Sequence, residues 1–128
     1  MQHLSLIAFG GMIGTLLRYG LSTFVYQRVN DIFPWGTLAV NLSGSLLIGI
    51  FYELFNLSVI PSDLRSLITI GFLGAYTTFS TYSLETVNLL HEGEIRLCLI
   101  NIALNNVLGL LLVMSGMYTV RILIKFVR

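Results

Sequence analysis

The chain has 128 residues, of which 55% are hydrophobic and only 10% charged, with a mean hydropathy of +0.86; an ordinary soluble domain carries roughly 25% charged residues. That balance places the chain in a membrane, and its net charge of +1 excludes the basic footprint of nucleic-acid binding. The single cysteine, Cys98, excludes an intramolecular disulfide and a cysteine-ligated metal cluster, and reads as a small apolar side chain.

A hydrocarbon core of about 30 Å needs roughly 20 apolar residues as helix. The sequence supplies four such spans, near Leu4 to Tyr26, Trp35 to Phe55, Asp63 to Leu90 and Arg96 to Ile124. The N-terminus, MQHLSLIAFGGMIG, lacks the basic flank of a signal peptide and runs straight into the first span, so no segment is expected to be removed. That span holds Arg18, and its Gly10 and Gly14 form a GxxxG. Pro34 opens the second span, where a missing N–H does no harm, and Ser45 and Gly49 repeat the small-residue spacing there. Such spacing serves contacts within the chain or between copies, and spacing alone does not separate the two. Pro61 and Ser62 open the third span, with Ser62 expected to cap its helix. The connections QRVNDIFP, NLSVIPS and HEGE are short, so residues 1–128 read as a single four-helix membrane domain.

Four helices hardly enclose a pathway by themselves, so an oligomer is expected. With an even number of spans, Arg65, Arg121, Lys125 and Arg128 fall on one side, against Arg28 and Arg96 on the other. The positive-inside signal is therefore weak. Both a single orientation and an antiparallel dimer of opposite topologies stay open.

The third span is longer than a bilayer requires, and its middle reads GFLGAYTTFSTYS. Gly71 and Gly74 precede a run of hydroxyls on Thr77, Thr78, Ser80, Thr81, Tyr82 and Ser83. Glycine loosens a helix, and Ser and Thr side chains satisfy the backbone groups that a break sets free. A helix broken at mid-membrane is the expectation; the plainer alternative is a kink with its hydroxyls bonded one turn back.

Primary amides accompany this stretch: Asn41 on the second span, and Asn101, Asn105 and Asn106 on the fourth. Each is costly facing lipid and is expected to face inward. Asn41 with Ser45, and Asn101 with Asn105 and Gly109, are a turn apart, so each set forms a polar stripe on one helix face. Interhelical bonding at about 0.6 kcal/mol per pair is the modest reading; a file of hydrogen-bond groups along a pathway is the other, and their number favours it. Except for Glu85 the acidic residues are peripheral, whereas Arg18 is a fixed positive charge within a span, and amides and hydroxyls donate to anions. An anion path fits better than a cation path. Phe79 and Tyr82 share a helix face, and aromatic rings have positive edges. Core packing of these rings, and snorkelling of Arg18 or its pairing with Glu85 or a carbonyl, are the alternatives.

The segments GGMIGTLLRYG, WGTLAVNLSGSLLIG and GFLGAYTTFSTYSLET closely resemble the Fluc, or CrcB, family of fluoride channels, across all four spans, the fourth mainly by pattern. The resemblance implies an all-α membrane protein of the plasma membrane, an antiparallel dual-topology homodimer whose two pores pass fluoride passively out of the cell. It places the family's aromatic box on Phe79 and Tyr82, the second a departure from the usual Phe. It places the pore asparagine on Asn41, the polar segment on Thr77, Thr78, Ser80, Thr81 and Ser83, and the fourth-helix track on Asn101 and Asn105. Arg18 and Thr37 fall at the electropositive mouth. A structural sodium ion at the dimer centre, held by backbone carbonyls, falls on Gly74 and Thr77. The rival class, small four-helix multidrug transporters, relies on a buried glutamate in the first helix, where this chain has Arg18 and no acid.

Overall fold

The computed structural model describes residues 2–127, and all regular structure among them is helical. Arg128, counted above among the basic residues of one side, lies outside them. Helix α1 spans Gln2–Arg28 and α2 spans Trp35–Asn56. A 3-10 turn at Ser62–Leu64 leads into α3, residues 66–76, which is π-helical over Ser66–Leu73 and finishes in one α-turn, Gly74–Tyr76. Helix α4 covers Phe79–His91. Helix α5, residues 95–127, begins at Ile95–Ala103, passes through a π-turn at Leu104–Leu108 and resumes over Gly109–Val127.

Helices α1, α2 and α5 are each long and apolar enough to cross a bilayer. The third predicted span is instead divided into α3 and α4. At 1.5 Å per residue these amount to about 16 and 20 Å, so that together, not singly, they match the hydrocarbon thickness. The four spans are thus present, three continuous and one interrupted.

Proline and glycine set the boundaries. Pro34 precedes α2, and in the loop before it Asp31 Oδ2 accepts from the Trp35 indole N–H (3.0 Å), a bond that holds the Asp31 carboxyl below its ordinary range. Helices α2 and α4 both end in Schellman turns. In the first, Val59 N–H reaches the Leu54 carbonyl and Ser58 adopts φ +54°; in the second, Glu94 N–H reaches the Leu89 carbonyl around Gly93 at φ +81°. The capping role expected of Ser62 is not realised: Ser62 lies within the 3-10 turn, and neither that turn nor α3 has a side-chain cap. The serine is drawn into the turn itself, so its hydroxyl does not sit one residue ahead of a regular helix.

Helix α1 packs along α3 and α2 along the second half of α5. The small residues permit these close approaches within one chain. A side chain on Gly10 or Gly14 would run into the backbone of Leu67 or Phe72, and one on Gly71 into the Ile7 carbonyl. Gly49 and Gly116 likewise bring α2 and α5 backbone to backbone. For Gly10, Gly14 and Gly49 the close approaches lie within one chain. Cys98 is buried and free. Arg121 of α5 forms a two-point ion pair with Glu53 of α2, Nε to Oε1 at 2.7 Å and Nη2 to Oε2 at 3.1 Å, with Glu53 almost wholly enclosed. Much of the remaining large apolar surface, including Leu16, Leu110 and Phe126, faces outward, as a bilayer-embedded bundle requires.

Candidate functional site

The third predicted span is interrupted between α3 and α4. Thr77 and Thr78 adopt extended backbone conformations (φ −78°, ψ 157° and φ −144°, ψ 112°), so regular helical bonding stops there. If the helix ran on, Thr78 N–H would bond the Gly74 carbonyl. Instead it donates to Asn41 Oδ1 (2.9 Å), while Asn41 Nδ2 donates to the Thr78 carbonyl (3.1 Å). One amide side chain therefore serves both backbone groups of Thr78, as a neighbouring strand would. The Thr78 hydroxyl finishes the repair. Thr78 Oγ1 caps α4 by accepting from Thr81 N–H (3.2 Å) and donates to Thr81 Oγ1 (2.9 Å). Thr77 Oγ1 and Ser83 Oγ instead bond one turn back, Thr77 to the Leu73 carbonyl (3.1 Å), which also accepts from Thr77 N–H, and Ser83 to the Phe79 carbonyl (2.8 Å) within α4.

Asn41 carries the network onward to α5. Its Nδ2 also donates to Asn105 Oδ1 (3.0 Å), and Asn105 Nδ2 donates to Asn101 Oδ1 (2.9 Å) and to the Asn101 carbonyl (3.1 Å). Asn101, fully buried, donates to Thr86 Oγ1 (2.9 Å). Next along the π-turn, Asn106 Nδ2 donates to the Ile102 carbonyl (2.8 Å) and to the Tyr82 hydroxyl (3.0 Å). The π-turn accounts for this: i→i+5 bonding leaves carbonyls without their usual partner four residues on, and the two amides reach back to supply it.

Around the break lies a cavity of about 280 Å³, lined among others by Asn41, Thr77, Thr78, Phe79, Tyr82, Asn105 and Asn106, with no Asp, Glu, Lys or Arg in its wall. The Phe79 and Tyr82 rings stand 5.6 Å apart, tilted by 54°. They differ in setting: Phe79 is 77% exposed on the chain, whereas Tyr82 is buried. Gly74 also lines this cavity, and its carbonyl lacks the helical partner that Thr78 would have provided.

A second cavity, of about 270 Å³, contains Arg18, Thr37, Tyr26, Thr81 and Glu85 and shares Thr78 with the first. Here Glu85 Oε1 accepts from the Tyr26 hydroxyl (2.8 Å) and from Thr37 Oγ1 (2.8 Å), while Glu85 Oε2 is buried without a partner. The pairing of Arg18 with Glu85 considered from sequence is not formed: among the described residues the one ion pair joins Arg121 and Glu53. A third cavity, of about 250 Å³, shares Tyr26 and Glu85 with the second and reaches Asp31 and Glu92 at the loops. The three follow one another from the helix break to the end of the bundle.

Of the residues singled out from sequence, Asn41, Phe79, Tyr82 and Asn105 meet in the first cavity, and Arg18, Thr37 and Thr81 in the second. Asn101 stands behind Asn105, and Ser80 and Ser83 line none of the three cavities. Tyr26 was missed, because nothing local marks a tyrosine near a helix end as the partner of residues 11 and 59 positions away. Among the described residues no three His, Cys, Asp or Glu side chains gather to hold a metal ion. The oxygens on offer at the break are neutral backbone carbonyls, a donor type that suits a hard monovalent cation.

The family model of the CrcB-like protein, Camphor Resistance (CrcB), matches residues 5–117. The chain belongs to the CrcB family. It is 49% identical over 116 residues to the fluoride-specific ion channel FluC of Shewanella frigidimarina, covering 91% of this chain and 94% of that protein. Against the protein of the same name from Shewanella baltica the identity is 47% over the same shares. Against that of Magnetococcus marinus it is 42% over 123 residues, 95% of this chain and all of the relative. A CrcB chain with three long apolar helices and a divided third span is a multi-pass membrane protein.

Proposed function

We propose that the chain is a fluoride-selective passive ion channel of the plasma membrane, and not an enzyme, which lowers cytoplasmic fluoride. The observation that carries this reading is the cavity at the helix break. Its wall presents amide and hydroxyl donors and an aromatic pair, contains no charged side chain, and adjoins, through the shared Thr78, a cavity lined by both Arg18 and Glu85. There Arg18 is the charge that draws anions, the Glu85 carboxylate being engaged by the Tyr26 and Thr37 hydroxyls, and the neutral donors at the break replace an anion's hydration without trapping it. Relatives that match nearly the whole chain bear the name fluoride-specific ion channel. In acid surroundings fluoride enters a cell as HF and is trapped inside as the anion, so a passive leak is protective.

In this reading Arg18 and Thr37 form the mouth; Thr81, Asn41, Phe79, Tyr82 and Asn105 contact the ion; Ser80, Ser83 and Asn101 support the wall. The break lies at mid-membrane and faces a second copy of opposite topology, giving an antiparallel homodimer with two pores. The exposure of Phe79 and Gly74 on the single chain supports this, because a large ring and an unpartnered carbonyl at that depth need cover. The Gly74 and Thr77 carbonyls would hold a structural sodium ion, whose charge would stabilise oxygens left over by two helix breaks meeting in a dry core. The multidrug-transporter alternative loses its basis, since α1 carries Arg18 and no acid.

The test is passive efflux from liposomes containing the purified protein, read with a fluoride electrode and repeated with chloride loading. Rapid fluoride release with little chloride release is expected. Absence of fluoride release from folded protein, alone and with a coexpressed homologous subunit, would refute the reading.

A further inference from the structure

Tyr82 has a hydroxyl whose hydrogen-bond direction is fixed by an unusual route. Asn106 Nδ2 lies 2.8 Å from the Ile102 carbonyl and 3.0 Å from the Tyr82 hydroxyl. A carbonyl only accepts, so it must face the amide NH2; turning the amide over would set two oxygens against each other. The NH2 group then has one hydrogen for Ile102 and one for Tyr82. Tyr82 Oη is the acceptor in that pair, which leaves its own proton uncommitted. Among the described residues no acceptor is bonded to that proton, although the Tyr82 side chain is buried. Both Tyr82 and Asn106 line the cavity at the helix break, as does Phe79, whose ring is 5.6 Å from that of Tyr82.

We infer that the Tyr82 hydroxyl, oriented by Asn106, is a direct hydrogen-bond donor to a small anion in this cavity, and that Asn106 is a positioning residue acting through it. The inference deepens the channel reading and rests on it. A ring edge alone gives an anion a weak, diffuse contact, whereas an O–H aimed at the anion makes a charge-assisted hydrogen bond, short and roughly twice as strong as a neutral one. A phenol proton that also receives a bond at its oxygen is polarised further toward its acceptor. The π-turn makes this possible. It sets two consecutive amides to work in one cavity, Asn105 on the Asn41 side and Asn106 on the Tyr82 side.

The test is the unitary fluoride current across a planar bilayer, measured against fluoride concentration for wild type, Tyr82→Phe, Asn106→Leu and the double variant. Tyr82→Phe keeps the ring and removes only the hydroxyl, so the half-saturating fluoride concentration should rise about tenfold, the scale of one hydrogen bond to a charged group. Asn106→Leu, which frees the hydroxyl to turn away, should raise it in the same direction and add nothing in the Tyr82→Phe background. A purely structural role would change the number of active channels or the maximal current and leave half-saturation unmoved. Wild-type fluoride current with half-saturation within about twofold in Tyr82→Phe would overturn this inference alone. An equal effect of Asn106→Leu in both backgrounds would remove Asn106 as the positioning residue. No fluoride current in wild type would overturn the channel reading, and this inference with it.

Discussion

Replacing Asn41 by leucine tests the helix break most directly, because the amide does three things at once. It accepts from Thr78 N–H, donates to the Thr78 carbonyl and donates to Asn105 Oδ1. Leucine is close in size and fills the space, so the cost is one of unsatisfied polar groups. Asn105 retains its bonds to Asn101 and loses little. The two backbone groups of Thr78 are the real casualties: the residue is only 8% exposed, and the extended conformation gives neither group a helical substitute. Each orphaned buried group costs about 1–3 kcal/mol, so the total is about 2–6 kcal/mol. Interhelical side-chain bonds in membranes average only about 0.6 kcal/mol because the unfolded chain finds other partners, which favours the lower half of that range. Asn41→Asp separates the roles. A carboxylate still accepts from Thr78 N–H but repels the Thr78 carbonyl and Asn105 Oδ1, and it puts a negative charge in the proposed anion path. Both variants should lower thermal stability in detergent, followed by loss of the monodisperse chromatographic peak, and Asn41→Asp should also abolish fluoride efflux. A stability loss below about 0.5 kcal/mol in Asn41→Leu would refute the claim that this amide holds the break, since that is the ordinary scatter of neutral substitutions. Wild-type efflux through Asn41→Asp would count against its place in the pore.

Phe79→Ile should abolish or strongly reduce fluoride efflux while the dimer persists on chromatography; unchanged efflux would remove Phe79 from the path. Gly49→Val should destabilise by about 1–3 kcal/mol or more, because the new side chain meets the Val113 backbone, which cannot give as a side chain can. Gly20→Ala is its control: open space surrounds that position, so thermal unfolding should show no loss and a gain of up to about 1 kcal/mol. Gly74→Val meets within its own chain only the Thr69 carbonyl, at an ordinary 3.6 Å. Its damage should therefore appear in dimer assembly and sodium binding, with helix content by circular dichroism retained; a stable dimer with normal sodium binding would contradict the sodium placement.

The sequence was informative about which residues matter near the break and misleading about why. Gly71 and Gly74 read as loosening the third span, yet the chain remains helical through both and departs from helix only at Thr77. Gly71 serves instead to let α3 touch the backbone of α1, a requirement set by residues more than sixty positions away. The hydroxyl run was legible as local repair of freed backbone groups, and Thr78 acts so, whereas Thr77 and Ser83 bond one turn back as in the plainer alternative. The decisive partner was not legible as such, because Asn41 lies 37 residues from Thr78, and a polar stripe on a helix does not reveal which backbone it will serve. A still longer separation, 68 residues, hid the partner of Arg121, a buried Glu53 that sequence alone grouped with the peripheral acids. The π-turn was equally invisible, since Leu104–Leu108 has no Pro or Gly to mark it.

These failures share a cause with the proposed function. A helix can be interrupted in an apolar bundle only if other elements answer its freed groups, and the groups that answer are necessarily polar, inward and gathered at one depth. In this chain they come from α2 and from the π-turn of α5, and they surround a cavity. Donors gathered for a structural reason are the same donors that can replace an anion's hydration. Tyr82 bears on the second use, because Asn41, Thr78 and Asn105 are largely engaged with one another, whereas the Tyr82 proton is not. Within the chain that hydroxyl serves only as an acceptor, from Asn106, and its proton is the one that the proposed anion contact would take up.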